Sequence, residues 1–337
     1  MGITIDSARV FFTSAKRRYI IIDAPGHIEF LKNMVSGASR AEAALLIVDA
    51  REGIQENSRR HGYMLGLLGI RQVAVLINKM DLVAYGRETF DHLVQQYSEF
   101  LRRVDVKPLR FIPVCGRDGE NVAARGSTMR WYTGQTVLET LDEFVAEPPP
   151  LRYPFRMPVQ GVYKFTQQGD DRRIIAGTVE TGALRTGDEI VFYPSGKKSH
   201  VRTIEAFGKP PQLEVSAGSA TGFTLQEQIY VARGEVATRA SETRPKVTSR
   251  LRVSLFWLGR IPLVTNKEYV FKLGTARVMA RMEAIGRVLD TSTLESPESS
   301  ESPESPGSNE PRTYVGRHEV AECSLKLDRA VAFDLTD

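Results

Sequence analysis

The chain has 337 residues, 42% hydrophobic and 26% charged, enough for two or three domains with cores of their own. Its 45 basic and 41 acidic residues leave a net charge of +4, which says little about partners; setting aside the acidic segment 291–312 leaves a mildly basic remainder, compatible with an anionic ligand or RNA but demanding neither. No run approaches the roughly 18 apolar residues of a membrane span, the start lacks a signal-peptide profile, and two cysteines, Cys115 and Cys323, build neither a disulfide framework nor a thiolate metal cluster. The five histidines show no metal-ligand spacing, and a cytoplasmic location with no membrane contact is expected.

In chain order, residues 8–13 and 17–23 read as two strands joined by the polar turn Ser14-Ala15-Lys16. The run Tyr19-Ile20-Ile21-Ile22-Asp23 predicts a strand buried on both faces, with Asp23 at its carboxyl end, where ligands bind in open α/β sheets. A carboxylate there can hold a water of a bound magnesium. In the turn that follows, Ala24-Pro25-Gly26-His27, Gly26 lets a backbone N–H approach a phosphate because no Cβ intervenes.

A helix is expected after His27, with Phe30, Leu31, Met34 and Val35 on one face, then a strand over 43–49 and an amphipathic helix over 56–68. The next strand, 72–77, ends in Asn78-Lys79-Met80-Asp81. That pattern points to guanine recognition. Asp81 can accept from the ring N–H and the exocyclic amine, a donor pair adenine does not offer; Asn78 can reach the other edge or tie the loop together, and the Lys79 stem can lie over the base. A helix over 88–103, a strand over 109–114 and a helix over 136–145 continue the alternation and imply a mostly parallel sheet.

The prolines of Glu147-Pro148-Pro149-Pro150 end the first domain, 1–147, and open a stiff linker, 148–158. Beyond it, short runs at 159–162, 173–179, 189–193, 201–206 and 219–223 predict an all-β barrel over 159–243. A third β unit, 247–337, has strands at 250–256, 268–273 and 276–285 and a Ser/Glu/Pro-rich insert at 291–312 whose composition predicts disorder. Cys323 reads as core, Trp131 and Tyr132 as a packed lid on the first domain, and Asp49 and Asp6 as turn or strand-end carboxylates.

Asp23-Ala24-Pro25-Gly26-His27 together with Asn78-Lys79-Met80-Asp81 resembles the translation-factor superfamily of GTPases and, within it, the GTPase subunit of heterodimeric ATP sulfurylase. Trp131-Tyr132-Thr133-Gly134, residues 154–160 and residues 194–197 extend that resemblance. It implies an α/β, P-loop-type GTPase domain followed by two all-β barrel domains. It also implies GTP and Mg2+ as cofactors, His27 as the residue that positions the attacking water, and Thr4 as a second magnesium ligand beside Asp23. By the same resemblance, Asp23, Ala24, Pro25, Gly26, His27, Asn78, Lys79, Met80, Asp81, Cys115 and Gly116 form the GTP site. Cys115-Gly116 stands where the family usually has Ser-Ala, with the Gly116 N–H serving the guanine oxygen.

The expected activity is GTP hydrolysis coupled to adenylyl sulfate formation from ATP and sulfate on a separate catalytic adenylyltransferase subunit, in a heterodimer; a nucleic acid is not expected. Gly-x-x-x-x-Gly-Lys-Ser/Thr occurs nowhere: Gly196-Lys197-Lys198-Ser199 has Val191 in place of the upstream glycine. The resemblance therefore reads the chain as truncated at both ends, lacking the first strand and the phosphate loop, and predicts that it binds GTP poorly or not at all. A translation elongation factor and a nucleotide-free scaffold remain alternative readings.

Overall fold

The computed structural model describes residues 7–39, 41–146, 148, 150–164, 172–206, 210, 212–290 and 312–335. Thr4 and residues 291–311 of the Ser/Glu/Pro insert lie outside the described residues. Strands β1 (Ala8–Thr13) and β2 (Arg18–Asp23) pair antiparallel around the Ser14 turn. Then come α1 (Leu31–Ala38), β3 (Ala43–Asp49), α2 (Glu56–Leu67), β4 (Gln72–Asn78), α3 (Arg87–Arg103), β5 (Arg110–Pro113) and α4 (Val137–Glu143). Strands β3, β4 and β5 form a parallel sheet with β4 in the middle.

The central position of β4 explains its apolar sequence. Val73, Val75 and Ile77 pack on Leu65 of α2 and on Leu93, Tyr97 and Leu101 of α3. On the opposite face Leu76 meets Ile112, Val114 and Val137. Each such side chain, once fully buried, contributes about 1.5–3 kcal/mol through the apolar surface it removes from water. Helix α3 buries Phe90, Leu93, Tyr97, Phe100 and Leu101, the three-and-four spacing of one helical face, and places Arg102 and Arg103 at its negative end. Helix α4 starts in a capping box: Thr136 Oγ1 accepts from the Glu139 N–H at 3.2 Å while Glu139 accepts from the Thr136 N–H at 2.8 Å.

The expectation that β2 is buried on both faces fails. Ile20 is 62% exposed and Ile21 39%, and β2 pairs with β1 in a two-stranded sheet separate from β3–β4–β5. A strand is covered only where strands and helices flank it, and β2 has one strand neighbour, β1. A cleft of about 990 Å³ lies between it and β3, lined by Ile20, Ile22 and Asp23 on one wall and Ala43, Leu45 and Ile47 on the other. The hairpin is fastened instead to the end of α4, where Ser14 Oγ donates to Asp142 at 2.7 Å and Tyr19 OH donates to the same carboxylate. Arg17 adds a bond to the Phe144 carbonyl at 2.6 Å.

The second β unit closes into a barrel of β6 (Met157–Lys164), β7 (Arg173–Thr178), β9 (Glu189–Tyr193), β10 (Lys197–Glu205), β12 (Ala220–Leu225) and β13 (Val236–Arg239). The short strands β8 (Ala183–Arg185) and β11 (Glu214–Ser216) pair beside it, and Phe155, Phe192 and Phe223 fill its interior. In the third unit β14 (Lys246–Phe256), β16 (Glu268–Leu273), β17 (Ala276–Asp290) and β19 (Glu319–Phe333) make a four-stranded antiparallel sheet. The ribbon of β15 (Leu263–Val264) and β18 (Tyr314–Val315) shares one core with that sheet. Cys323 lies inside that core, as expected.

Contacts among the described residues join the units. Arg156, 4% exposed, donates from Nε and Nη2 to Asp334 at 2.7 and 2.9 Å and from Nη2 to the Thr243 carbonyl at 2.7 Å. Phe256 and Leu258 pack on Leu31 and Met34 of α1 and Met64 of α2, the two helices behind the Pro25-Gly26 turn. Among the described residues no helix is long and apolar enough to cross a membrane.

Candidate functional site

Strands β3, β4 and β5 end side by side, Asp49 in register with Asn78, so their carboxyl-end loops converge. The Asn78 side chain ties two of these loops together: Oδ1 accepts from the Lys79 N–H at 2.8 Å and from the Gly116 N–H at 3.0 Å. Lys79 sits in the left-handed region, φ 61°, uncommon for a residue with a side chain and held here by the loops around it. A Cβ on Gly116 would lie 3.4 Å from Asn78 Oδ1, so a small residue suits that position. Of the two roles open to Asn78, the geometry supports tying the loop.

The Lys79 ammonium pairs with Asp49 at 2.6 Å, and Asp49 also caps the Arg51 and Glu52 N–H groups at 2.8 and 3.2 Å. Desolvation opposes ionisation of Asp49, but these partners together hold its carboxyl below its ordinary value. Asp49 is thus the turn carboxylate expected, with Lys79 as an added partner that sequence reasoning missed.

Asp81 is the second residue of the short 3₁₀ turn Met80–Val83, whose first residue, Met80, is buried. Its Oδ1 accepts from Cys115 Sγ at 3.3 Å and its Oδ2 lies 3.3 Å from an Arg117 nitrogen, Nη1. Arg117 also grips Asp118 with Nε and Nη2 at 2.9 and 3.0 Å, Asp118 accepts from Tyr85 OH at 3.2 Å, and the single S–H of Cys115, 3.1 Å from Asp118 Oδ2, is shared between Asp118 and Asp81. The guanidinium holds the Asp118 carboxyl well below the usual carboxylate range, while burial and the two carboxylates raise the Cys115 thiol, keeping it protonated as a donor. Arg117, Asp118 and Tyr85 escaped sequence reasoning; the only signal was the charged pair directly after Cys115-Gly116. The Gly116 N–H, expected on the guanine oxygen, donates to Asn78 instead.

The other cluster stands at the end of β2. Pro25 is buried, whereas Asp23, Gly26 and His27 are exposed and Ala24 is half-buried. His27 Nδ1 accepts from the Glu29 N–H at 3.4 Å, which leaves Nε2 to carry the proton of a neutral ring, and Phe30 lies against it with ring centres 6.1 Å apart. His61 of α2 sits beneath the turn and hydrogen-bonds the Gly26 backbone. Sequence reasoning passed over it, because a half-buried histidine carries no local mark.

Burial, reinforced by the neighbouring Arg60 charge, lowers the His61 pKa to about 4. The unfolded chain binds a proton there from about pH 6.5 downward and the folded chain only near 4, so the contribution to stability is complete above pH 6.5 and drains away as the pH falls towards 4. The full swing is on the order of 3 kcal/mol. Thermal midpoints between pH 7 and 4.5 should fall more steeply for the wild type than for His61→Gln; parallel curves would remove His61 as the cause.

Among the described residues no group of three or more His, Cys, Asp or Glu is placed to hold a metal ion. Magnesium is commonly bound through one or two carboxylates with water and substrate phosphates completing its shell, a demand an exposed Asp23 at a strand end can meet.

Residues 1–147 match the family described as Elongation factor Tu GTP binding domain. The chain is 36% identical to sulfate adenylyltransferase subunit 1 of Chromobacterium violaceum over 99% of its own length and 66% of that protein's. It is also 36% identical to the subunit 1 of Tolumonas auensis, over 99% of this chain and 67% of the relative. The chain thus spans about two thirds of the length of the curated relatives it matches. A solved structure of Sup35 complexed with GDP aligns over 96% of this chain and 76% of its own at a TM-score of 0.47 and 23% identity.

Proposed function

Since this chain belongs to the family of sulfate adenylyltransferase subunit 1, a GTPase of the translation-factor type, we propose that it is the GTPase subunit of a sulfate adenylyltransferase. In this reading GTP hydrolysis on this chain drives the formation of adenylyl sulfate and pyrophosphate from ATP and sulfate, with adenylyl transfer on a partner catalytic subunit in a heterodimer. The observation that carries it is the convergence of Asn78, Lys79, Asp81, Cys115 and Gly116 in one hydrogen-bonded loop cluster at the ends of β4 and β5. A cytoplasmic location, the absence of nucleic-acid partners and the division into domains 1–147, 159–243 and 247–337 belong to the same proposal.

Asp81 accepts from the guanine N1–H and exocyclic amine, and Cys115 donates to Asp81 Oδ1, which holds the carboxylate in orientation. Asn78 locks the loop, and the Lys79 stem, drawn to Asp49, flanks the base. At the other cluster Gly26 brings the backbone to the γ-phosphate, Asp23 would hold a magnesium ion through one of its waters, and His27 orients the attacking water through Nε2. Thr4 would complete the magnesium shell. The ion neutralises phosphate charge when bound. The open cleft beside β2 leaves this phosphate side less enclosed than the base side, so binding to the isolated chain is expected to be weaker than micromolar.

His27→Ala is expected to lower GTP hydrolysis in the assembled heterodimer roughly 100-fold while nucleotide affinity stays within a factor of about 3. Hydrolysis at the wild-type rate would remove His27 from the mechanism. Co-purification tests the partner: a small ATP-binding subunit supports this function, and tRNA in its place would favour a translation factor.

A further inference from the structure

The turn Pro25-Gly26-His27 is fixed at both ends and loose in the middle. Pro25 is buried, and its ring sets its own φ. At the far end the His27 carbonyl accepts from the Phe30 N–H at 2.9 Å, in the bend that leads into α1. Gly26 between them is exposed and, having no Cβ, has the widest choice of backbone angles. A contact that fixes the Gly26–His27 peptide therefore also fixes the backbone from which the His27 ring springs.

A side chain of α2 reaches that peptide. His61 Cε1 would lie 3.6 Å from a Cβ placed on Gly26, and the ring hydrogen-bonds the Gly26 backbone. The bond favours the protonated nitrogen, so an imidazole N–H donates and the Gly26 carbonyl accepts. That carbonyl lies in the same peptide plane as the His27 N–H. The helix behind His61 is anchored: Leu65 lies in the core, Met64 packs on Leu31 and Met34, and the Ser58 carbonyl accepts from the buried Tyr97 OH at 2.5 Å.

We propose that His61 is a positioning residue for GTP hydrolysis, which holds the Gly26–His27 peptide through the Gly26 carbonyl and so aims the His27 ring at the attacking water. The inference rests on the assignment of His27 to that water. His61 acts by taking freedom from the glycine, and a misplacement of about 1 Å at a reacting group can cost on the order of 100-fold in rate.

Two measurements test it. The first, hydrogen exchange of the Phe30 amide in the full chain at pH 7, needs no nucleotide. His61→Phe keeps an aromatic ring without the donor, and the His61→Asn amide is too short to reach; each should speed that exchange about tenfold, the loss of one hydrogen bond. His61→Gln, which carries an N–H to a similar distance, should stay within about threefold of the wild type. The second is GTP hydrolysis by the assembled heterodimer at millimolar GTP. His61→Phe should lower kcat about tenfold with KM within about twofold. In a His27→Ala background the same change should cost less than about twofold, because the group it positions is gone. Unchanged Phe30 exchange in both His61→Phe and His61→Asn, or equal losses of kcat with and without the His27 ring, would overturn the inference while leaving His27 in its role. A His27→Ala heterodimer that hydrolyses GTP at the wild-type rate, or a wild type that hydrolyses none, would overturn both.

Discussion

Asp81→Asn should turn the preference of the site from guanine to xanthine diphosphate nucleotides, a swing of about 10³-fold or more in relative affinity. An amide keeps one acceptor for N1–H and replaces the second with a donor, which opposes the guanine amine and matches the O2 of xanthine. The swing is large because a misplaced donor leaves two polar groups facing each other without partners, which costs more than one missing bond. The Asp81 side chain keeps 12% exposure and its Arg117 partner 71%, and asparagine is nearly isosteric with aspartate, so folding should survive the change. Competition between GDP and XDP on the full chain measures it; a variant that still prefers GDP would mean that Asp81 does not face the base.

Gly182→Ala should destabilise the barrel by about 3 kcal/mol or more. Gly182 adopts φ +67°, and a Cβ there would lie 2.7 Å from both the Phe155 nitrogen and the Tyr153 carbonyl oxygen and 2.8 Å from the Phe155 Cα. All three are backbone atoms, which cannot swing aside as a side chain can. Moving them would disturb Phe155, one of the aromatics filling the barrel, and Arg156 next to it, which clasps Asp334. Gly182 also donates its N–H to the Pro150 carbonyl and accepts from the Ala217 N–H, each at 2.9 Å, so the segment is held on two sides. Urea denaturation of the two proteins reads the difference; a midpoint within error of the wild type would show that the turn can relax.

The parallel sheet and its loops were legible because they obey local rules. An apolar run between turn signals marks β4, and the alternation of strand and helix runs marks α3 and α4, expected over 88–103 and 136–145 and found at Arg87–Arg103 and Val137–Glu143. The base-side residues were legible because Asn78, Lys79 and Asp81 serve that chemistry from a single turn. Partners drawn from distant loops were not. Arg117 and Asp118 gain their meaning only where β5 brings them beside Asp81, and Lys79 meets Asp49 only through the register of β3 and β4. Strands of three or four residues such as β8, β11 and β13 carry too little pattern to stand out. The burial of β2 was misjudged because apolar composition reports what a strand can bury, while its neighbours decide what it does bury.

The hairpin that carries the Pro25-Gly26 turn shows Val10, Phe11 and Ile20 largely to solvent, at 53%, 70% and 62% exposure, along a sheet two strands wide. Bare strand margins and greasy side chains on the same ribbon invite contact with neighbouring molecules. The colloidal behaviour of this chain at high concentration will therefore depend on the ribbon of residues 8–23 as well as on its modest net charge.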